Sequence, residues 1–361
     1  MRGILLKLSL ILAGTFVGLT LGEVIVRAFH LGHTRTVFEF NDNLTKFKPH
    51  VGFMNYYENA NWVEINNLGF HDHDRQATND NYRILFLGDS FVEGRQVDIE
   101  SLFTARLEKK FAAEGQKVET INGGVPGTGT AYQYVLWKEF FEPQIRVDHI
   151  VLCVFVGNDL VDNSADLMAA ADSTSDSTIF VDSEGNVFGR GTQAGRARKI
   201  VNYVCDHSAL ANTSYESVYR LKKSFQVTAA ARDGANVSEK TGAQNVATAW
   251  ESSEQGTIAL IKSWKAELTA KKIPFDVVIL DRPGKVYHRF ESDFITRLQV
   301  ACAQDQIDCL RLKLSADPYE TYSFDGVSLG HFNYRGHELT ANELYDFLRS
   351  RHGSIPSRAR S

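Results

Sequence analysis

From about residue 82 onward, short apolar runs alternate with segments whose apolar positions recur at helical spacing. Such alternation predicts strands followed by helices, which pack as helices on both faces of a parallel sheet. The sequence therefore predicts an α/β fold, a flavodoxin-like three-layer sandwich with a central five-stranded parallel sheet. Strands are predicted at residues 83–87, 118–121, 149–156, 275–280 and 309–312, and helices at residues 101–114, 131–142, 247–271, 291–303 and 335–348.

The N-terminus carries a long uncharged apolar run. Residues 8–21 read LSLILAGTFVGLTL and follow Arg2 and Lys7, and the run approaches the roughly 20 residues that a bilayer-spanning helix needs. A cleaved signal peptide is the alternative, but no small-x-small site ending in alanine follows the run. We therefore expect an uncleaved transmembrane helix within residues 1–30, which holds the rest of the chain outside the cytoplasm, in a periplasmic or extracellular location.

The remaining chain divides into three parts by pattern, and the second part contains an insertion. Residues 31–81 lack clear periodicity and are interpreted as an extended lead-in segment, whereas residues 82–349 form the predicted α/β domain. Within this domain, residues 165–245 contain Ser/Thr/Asp/Gly clusters and little apolar periodicity, which indicates an insertion or cap. Residues 350–361 are predicted to form a basic tail.

Composition excludes several classes of protein. The 361 residues are 43% hydrophobic and 23% charged, which argues against wholesale disorder and against a multi-span membrane protein. The net charge of −5 comes without a Lys/Arg-rich run, so we expect no nucleic-acid partner. No Cys or His cluster has zinc spacing, so neither a metal nor a cofactor is expected. Cys302 and Cys309 could pair in an oxidising compartment, or both could stay reduced.

Candidate catalytic residues follow three predicted strands and precede the last helix. Ser90 ends the first strand, Gly127 lies in the loop after the second, Asn158 ends the third, and His331 comes just before the final helix. Ligands of open parallel sheets bind at the carboxyl ends of the strands, so these residues are expected to meet. Acyl transfer needs a nucleophile, a base and donors aimed at the developing oxyanion. Each residue alone also has a structural interpretation, as a helix cap, a turn glycine or a strand end.

The order of these motifs resembles the SGNH (GDSL-type) hydrolases. The matching residues are Gly88-Asp89-Ser90, Gly127, Gly157-Asn158-Asp159 and His331, over residues 60–160 closely and residues 247–349 in outline. The resemblance implies that Ser90 is the nucleophile and His331 the base. It also implies an oxyanion hole formed by the N–H groups of Ser90 and Gly127 and the side chain of Asn158. The N-terminal span adds a resemblance to membrane-anchored, extracytoplasmic members of the family that act on esters, often acetyl groups on glycans.

The triad acid departs from the family pattern. The family places it two or three residues before the histidine, where this chain has Leu329 and Ser328. Asp325, six residues before His331, is the nearest carboxylate and is the predicted acid. Asp325 could instead form a turn with Gly326, which would leave a Ser90–His331 dyad. His337 is a rival for the base, but it falls within the predicted final helix and is expected to pack there or face solvent.

Three functions remain open at this point. The leading hypothesis is a serine-dependent esterase, acting through an acyl-Ser90 intermediate on an ester substrate such as an acylated glycan. An O-acetyltransferase would use the same residues and pass the acyl group to a sugar hydroxyl. A catalytically idle glycan-binding protein of the envelope is the alternative outside the enzymes.

Overall fold

A computed structural model describes residues 2–29, 37–40, 44–170, 179–189, 196–215, 217–218, 243–281, 289–315 and 317–352. Their contacts divide the chain into two compact units. One comprises Met1–Phe40 with Gln193–Val237, and the other Asn41–Thr192 with Ser238–Ser361. The predicted insertion, residues 165–245, is thus shared between the two units.

The helices and strands are numbered in chain order. The helices are α1 (Arg2–Ala28), α2 (Ser90–Glu93), α3 (Phe103–Ala113), α4 (Thr130–Leu136), α5 (Glu142–Gln144), α6 (Asp159–Asp162), α7 (Ala165–Ala170), α8 (Arg196–His207), α9 (Ala243–Ala270), α10 (Arg289–Gln304), α11 (Tyr319–Tyr322) and α12 (Tyr334–His352). The strands are β1 (Phe38–Phe40), β2 (Thr45–Phe47), β3 (Gly52–Asn55), β4 (Asn61–Glu64), β5 (Tyr82–Gly88), β6 (Val118–Gly124), β7 (His149–Phe155), β8 (Ile179–Val181), β9 (Val187–Gly189), β10 (Phe275–Leu280) and β11 (Asp308–Arg311).

The central sheet has five parallel strands in the order β11-β10-β7-β5-β6. Counted along the chain, this order is 2-1-3-4-5 read from the β6 edge, the order of flavodoxin-like folds. Strands β7 and β10 are buried along their whole length, as expected for strands covered on both faces. The predicted fold class is confirmed.

Two apolar layers flank the sheet. On one face, Trp137, Trp264 and Phe294 pack against inward-facing residues of β7 and β10. On the other face, Phe103 of α3 and Leu344 of α12 belong to a second cluster with Phe86 and Val151. Because side chains alternate along a strand, each strand contributes to both layers.

The lead-in segment is more ordered than its sequence pattern indicates. Strands β3 and β4 pair antiparallel, with Met54 opposite Trp62, and residues 56–60 connect them. We call residues 52–64 the hairpin. Residues 52–64 of the predicted lead-in segment therefore form a β-hairpin.

Helix α1 contains one apolar stretch, Leu6–Ala28, of mean hydropathy 1.9. Among the described residues it is the one helix long and apolar enough to cross a membrane, and a signal sequence has the same properties. At the other end of the chain, α12 continues to His352, so the predicted tail is helical at residues 350–352. Residues 353–361 lie outside the described residues. All four cysteines are free thiols, and those of Cys302 and Cys309 are hydrogen-bonded to each other.

Candidate active site

Ser90 sits on a tight turn between β5 and α2, of which it is the first residue. The Asp89 carboxylate accepts the Phe91 N–H at 2.9 Å and so caps the helix. Gly124 at the end of β6 passes directly beneath α2, and a Cβ there would collide with the backbone of Val92 and Glu93. The turn is thus held by a cap on one side and by a close backbone approach on the other.

The structure brings His331 to Ser90. The Ser90 Oγ lies 2.7 Å from His331 Nε2, and the imidazole packs on the Phe91 ring with 4.9 Å between ring centroids. His331 precedes α12, whose first turn is capped by the Asn333 side chain through the N–H groups of Arg335 and Gly336, both at 2.9 Å. Helix capping therefore fixes the backbone that carries the imidazole.

The carboxylate against this histidine is Glu58, which lies in the loop of the hairpin. Both Glu58 carboxylate oxygens lie 3.0 Å from His331 Nδ1, and Oε2 also accepts the His331 backbone N–H at 2.9 Å. A proton on Nδ1, directed at this carboxylate, leaves Nε2 free to accept the Ser90 hydroxyl proton. Ser90, His331 and Glu58 thus form a continuous hydrogen-bonded chain, which we call the triad.

Asp325 does not contact His331, so its predicted place in the triad is corrected. Its Oδ1 accepts the N–H groups of Val327 at 2.9 Å and Ser328 at 2.7 Å, and the Ser323 hydroxyl at 2.9 Å. These hydrogen bonds hold the pKa of Asp325 below its usual value. Gly326 follows with a φ of +73°, so Asp325 forms the turn that was the alternative interpretation.

Glu58 was missed because it lies 273 residues before the histidine, and no local spacing connects the two. Its φ of +65° is unusual for a residue with a side chain. The Asn55 amide supports this conformation, because Nδ2 donates to the carbonyls of Tyr57 at 3.0 Å and Asn59 at 2.9 Å. The Asn59 amide in turn donates to the Gln96 carbonyl at 2.8 Å, just beyond α2. In the sequence, the asparagines around Glu58 were the only indication that this loop has a defined structure.

Gly330 provides the space for the Glu58 carboxylate. A Cβ at Gly330 would overlap Cδ and both carboxylate oxygens of Glu58. Because Gly330 has no side chain, Glu58 of the hairpin can reach His331.

The predicted oxyanion donors follow the carboxyl ends of β5, β6 and β7. Ser90 is the first residue of α2, where helix N–H groups have no partner within the helix. Gly127 lies in the loop between β6 and α4 with a φ of +68°. Asn158 precedes α6, and its Nδ2 donates to Asp162 Oδ2 at 3.0 Å; its side chain also hydrogen-bonds the Asp89 carboxyl group.

Buried ionisable groups lie beneath this edge. Burial raises the pKa of Asp89, and burial together with the neighbouring Asp89 and Asp162 raises that of Asp159 well above its usual value. His337, the rival base, is buried in α12, where its Nδ1 accepts the Phe103 N–H at 3.2 Å. Burial lowers the pKa of His337 to about 3, so this imidazole stays neutral and has a packing role, as expected.

Comparison with protein-family models and with curated protein sequences gives no match. Among solved structures, the chain is similar to TesA, with 13% identity over 74% of this chain and 98% of that chain and a TM-score of 0.40. It is also similar to the lipase/acylhydrolase from Enterococcus faecalis, with 14% identity, 77% and 100% coverage and a TM-score of 0.39. An acetyl xylan esterase, AlAXEase, gives 10% identity, 73% and 98% coverage and a TM-score of 0.39. At these TM-scores the similarity assigns no function to the chain.

Proposed function

We propose that the protein is a serine-dependent esterase that works through an acyl-Ser90 intermediate. The observation that carries the proposal is the triad, in which Ser90 Oγ lies 2.7 Å from His331 Nε2 and His331 Nδ1 lies 3.0 Å from Glu58. These are the contacts that a serine nucleophile, a general base and an orienting acid require. The order of motifs shared with SGNH hydrolases supports the same reaction.

In the proposed mechanism, Ser90 Oγ attacks the ester carbonyl carbon while its proton passes to His331 Nε2. Glu58 stabilises the imidazolium that forms and holds the ring in the productive tautomer. When the tetrahedral intermediate collapses, the bond to the alcohol oxygen breaks and His331 returns the proton to the leaving alcohol. Water, deprotonated by His331, then attacks the acyl carbonyl carbon. When this second tetrahedral intermediate collapses, the bond to Ser90 Oγ breaks, His331 returns the proton to Oγ, and the carboxylic acid leaves.

The negative charge on the carbonyl oxygen requires donors placed in advance. We assign this role to the N–H groups of Ser90 and Gly127 and to the Asn158 amide. Asp162 positions Asn158, because it accepts a hydrogen bond from the side-chain amide. Each donor of this kind typically contributes about 10² to 10³ in kcat.

For the substrate, we propose an ester on a glycan, with acetyl as the acyl group. Tyr56 and Tyr57 are 62% and 64% exposed on the hairpin loop, and the Tyr57 ring lies edge-on to His331 at 6.2 Å. Exposed aromatic rings beside a reactive site can bind an apolar face of a ligand, and a sugar ring presents such a face. Helix α1 would anchor this enzyme to a membrane with the α/β unit outside the cytoplasm.

Turnover of an aryl acetate by full-length protein in detergent tests the proposed reaction. Ser90→Ala should abolish turnover and leave the melting temperature unchanged, because one small residue replaces another on the turn. Asn158→Ala should lower kcat by about 10² to 10³ with a smaller effect on KM. Undiminished hydrolysis by Ser90→Ala would refute the mechanism, and a loss confined to KM would make Asn158 a substrate-binding residue.

The glycan assignment has its own test. Tyr57→Ala should lower kcat/KM for an acetylated oligosaccharide and leave aryl acetate turnover nearly unchanged, whereas Phe188→Ala, an exposed aromatic on β9, should change neither. An equal loss of activity on both esters would mean that Tyr57 positions His331 and does not bind the glycan.

A further inference from the structure

A second cluster of ionisable side chains lies at the opposite end of the sheet. His149 is the first residue of β7, Asp276 the second residue of β10, and His352 the last residue of α12. The amino ends of the parallel strands all lie on one side of the sheet. Ser90 lies on the opposite side, at the carboxyl ends. The proposed reaction therefore does not use this cluster.

The three side chains converge on one point. His149 Nε2 lies 3.0 Å and His352 Nε2 2.9 Å from the same oxygen, Asp276 Oδ2. All three donor atoms lie within 4.8 Å of one another. The two imidazole rings meet nearly perpendicular, with 4.7 Å between centroids and 75° between planes.

The cluster is buried but reachable from solvent. The side chains of His149 and Asp276 are 1% and 2% exposed, whereas that of His352 is 22% exposed. The His352 side opens a path by which a small ion could enter.

We propose that His149, Asp276 and His352 bind a divalent d-block cation of the Zn²⁺ type. Two imidazole nitrogens and one carboxylate oxygen are the ligands that zinc prefers, at about 2.0 to 2.2 Å from the metal. A tetrahedral ion at that distance separates its ligand atoms by about 3.3 Å, so the two nitrogen–oxygen distances need to open by only a few tenths of an ångström. Water would complete the site as the fourth ligand.

Binding requires the lone pairs of both Nε2 atoms. Each imidazole therefore carries its single proton on Nδ1 when the metal is bound, and any imidazolium releases a proton to solvent. Sequence spacing does not indicate this site, because 127 residues separate His149 from Asp276 and 76 separate Asp276 from His352. The metal joins two strands to the end of α12 and stabilises the α/β unit.

The test measures Zn²⁺ bound by full-length protein in detergent, after dialysis against a weak chelator. The wild type should retain one equivalent, and so should His50→Ala, in which a histidine outside the cluster is removed. His352→Ala should weaken zinc affinity at least about tenfold, and His352→Cys, which restores a zinc ligand, should recover binding. Co²⁺ in the wild type should give the visible absorption of a tetrahedral site.

Two outcomes would overturn the proposal. One is wild-type protein that binds no Zn²⁺ above the level of an adventitious ion. The other is a His352→Ala variant, or the independent Asp276→Asn variant, that is folded by circular dichroism and binds zinc as tightly as the wild type. Aryl acetate turnover is not the readout, because the cluster lies at the far edge of the sheet from Ser90.

Discussion

The Glu58 carboxylate makes three contacts with His331, two from its oxygens to Nδ1 and one to the backbone N–H. A glutamate that only balanced charge would need none of this geometry. The bidentate approach to Nδ1 fixes the ring orientation, and the backbone contact ties the carboxylate to the same residue. Orientation and charge stabilisation thus come from one side chain.

Glu58→Gln is expected to lower kcat by about 10⁴, because an amide can donate to Nδ1 and stabilise the wrong tautomer. Asp325→Asn is the matched control, and it should retain most of its activity because Asp325 only forms a turn. Steady-state turnover of an aryl acetate measures both. A large loss in Asp325→Asn with an active Glu58→Gln would reverse the assignment.

Gly330→Ala should lower kcat by about 10²-fold, because the new methyl group displaces the Glu58 carboxylate from His331. The melting temperature should change little, since the clash involves the end of a flexible side chain. Val327→Ala, at an exposed position of the same loop, is the control and should behave as wild type. Wild-type kcat in Gly330→Ala would show that the carboxylate position is not critical.

Among the candidate residues, those at strand ends can be located from the sequence. Ser90 and Asn158 could be predicted to lie near each other, because parallel strands have their carboxyl ends on the same side of the sheet. His331 followed from its place before the last helix. Glu58 could not be found, because its role depends on a tertiary contact between a hairpin loop and a residue 273 positions away.

Among the elements, the hairpin links the lead-in segment to the triad. Its loop is supported from within by Asn55 and tied to the segment after α2 by Asn59. Strands β5, β7 and β10 were predictable because each contains a continuous apolar run. Strands β6 and β11 mix apolar and polar residues and were predictable from their place in the alternation with helices. The hairpin strands have only four residues each, so their pattern is too short to stand out in a polar segment.

Asn55→Ala should reduce kcat more than it raises KM, because the loop that holds Glu58 loses three side-chain hydrogen bonds. We expect about a 10²-fold loss, as for other small misplacements of a catalytic group. Asn186→Ala, which removes an asparagine from the β8–β9 turn, is the control. Unchanged kinetics in Asn55→Ala would mean that the strands alone position Glu58.

For the molecule as a whole, acid should reduce stability through buried neutral histidines. Burial lowers the pKa of His71 to about 4. Its Nδ1–H donates to the Glu93 carbonyl at 3.0 Å, and its Nε2 is buried without a hydrogen-bond partner. Between pH 6.5 and 4 the unfolded chain binds more protons at this residue, so stability falls as the pH decreases.

The loss from His71 should be on the order of 3 kcal/mol across that interval. Thermal unfolding of full-length protein in detergent at pH 7 and pH 5 measures the effect. His71→Asn keeps a donor for the Glu93 carbonyl and should show a smaller drop, whereas His50→Asn should match the wild type. Equal drops in wild type and His71→Asn would contradict the explanation.

The membrane assignment of α1 is also a property of the whole chain. The apolar stretch Leu6–Ala28 has 23 residues, enough to cross a bilayer hydrocarbon core of about 30 Å. Protein extracted from its host should therefore sediment with membranes and begin at or near Met1. N-terminal peptide sequencing decides the matter, because a mature start between residues 20 and 40 would indicate a cleaved signal peptide.

Covalent labelling of Ser90 tests the esterase proposal most directly. A fluorophosphonate probe reacts with a serine only where a base and oxyanion donors activate it. We expect rapid labelling of the wild type, with the adduct mapped to Ser90 by mass spectrometry, much slower labelling of Glu58→Gln and none of Ser90→Ala. A wild-type protein that stays unlabelled, or a label on another serine that persists in Ser90→Ala, would contradict it.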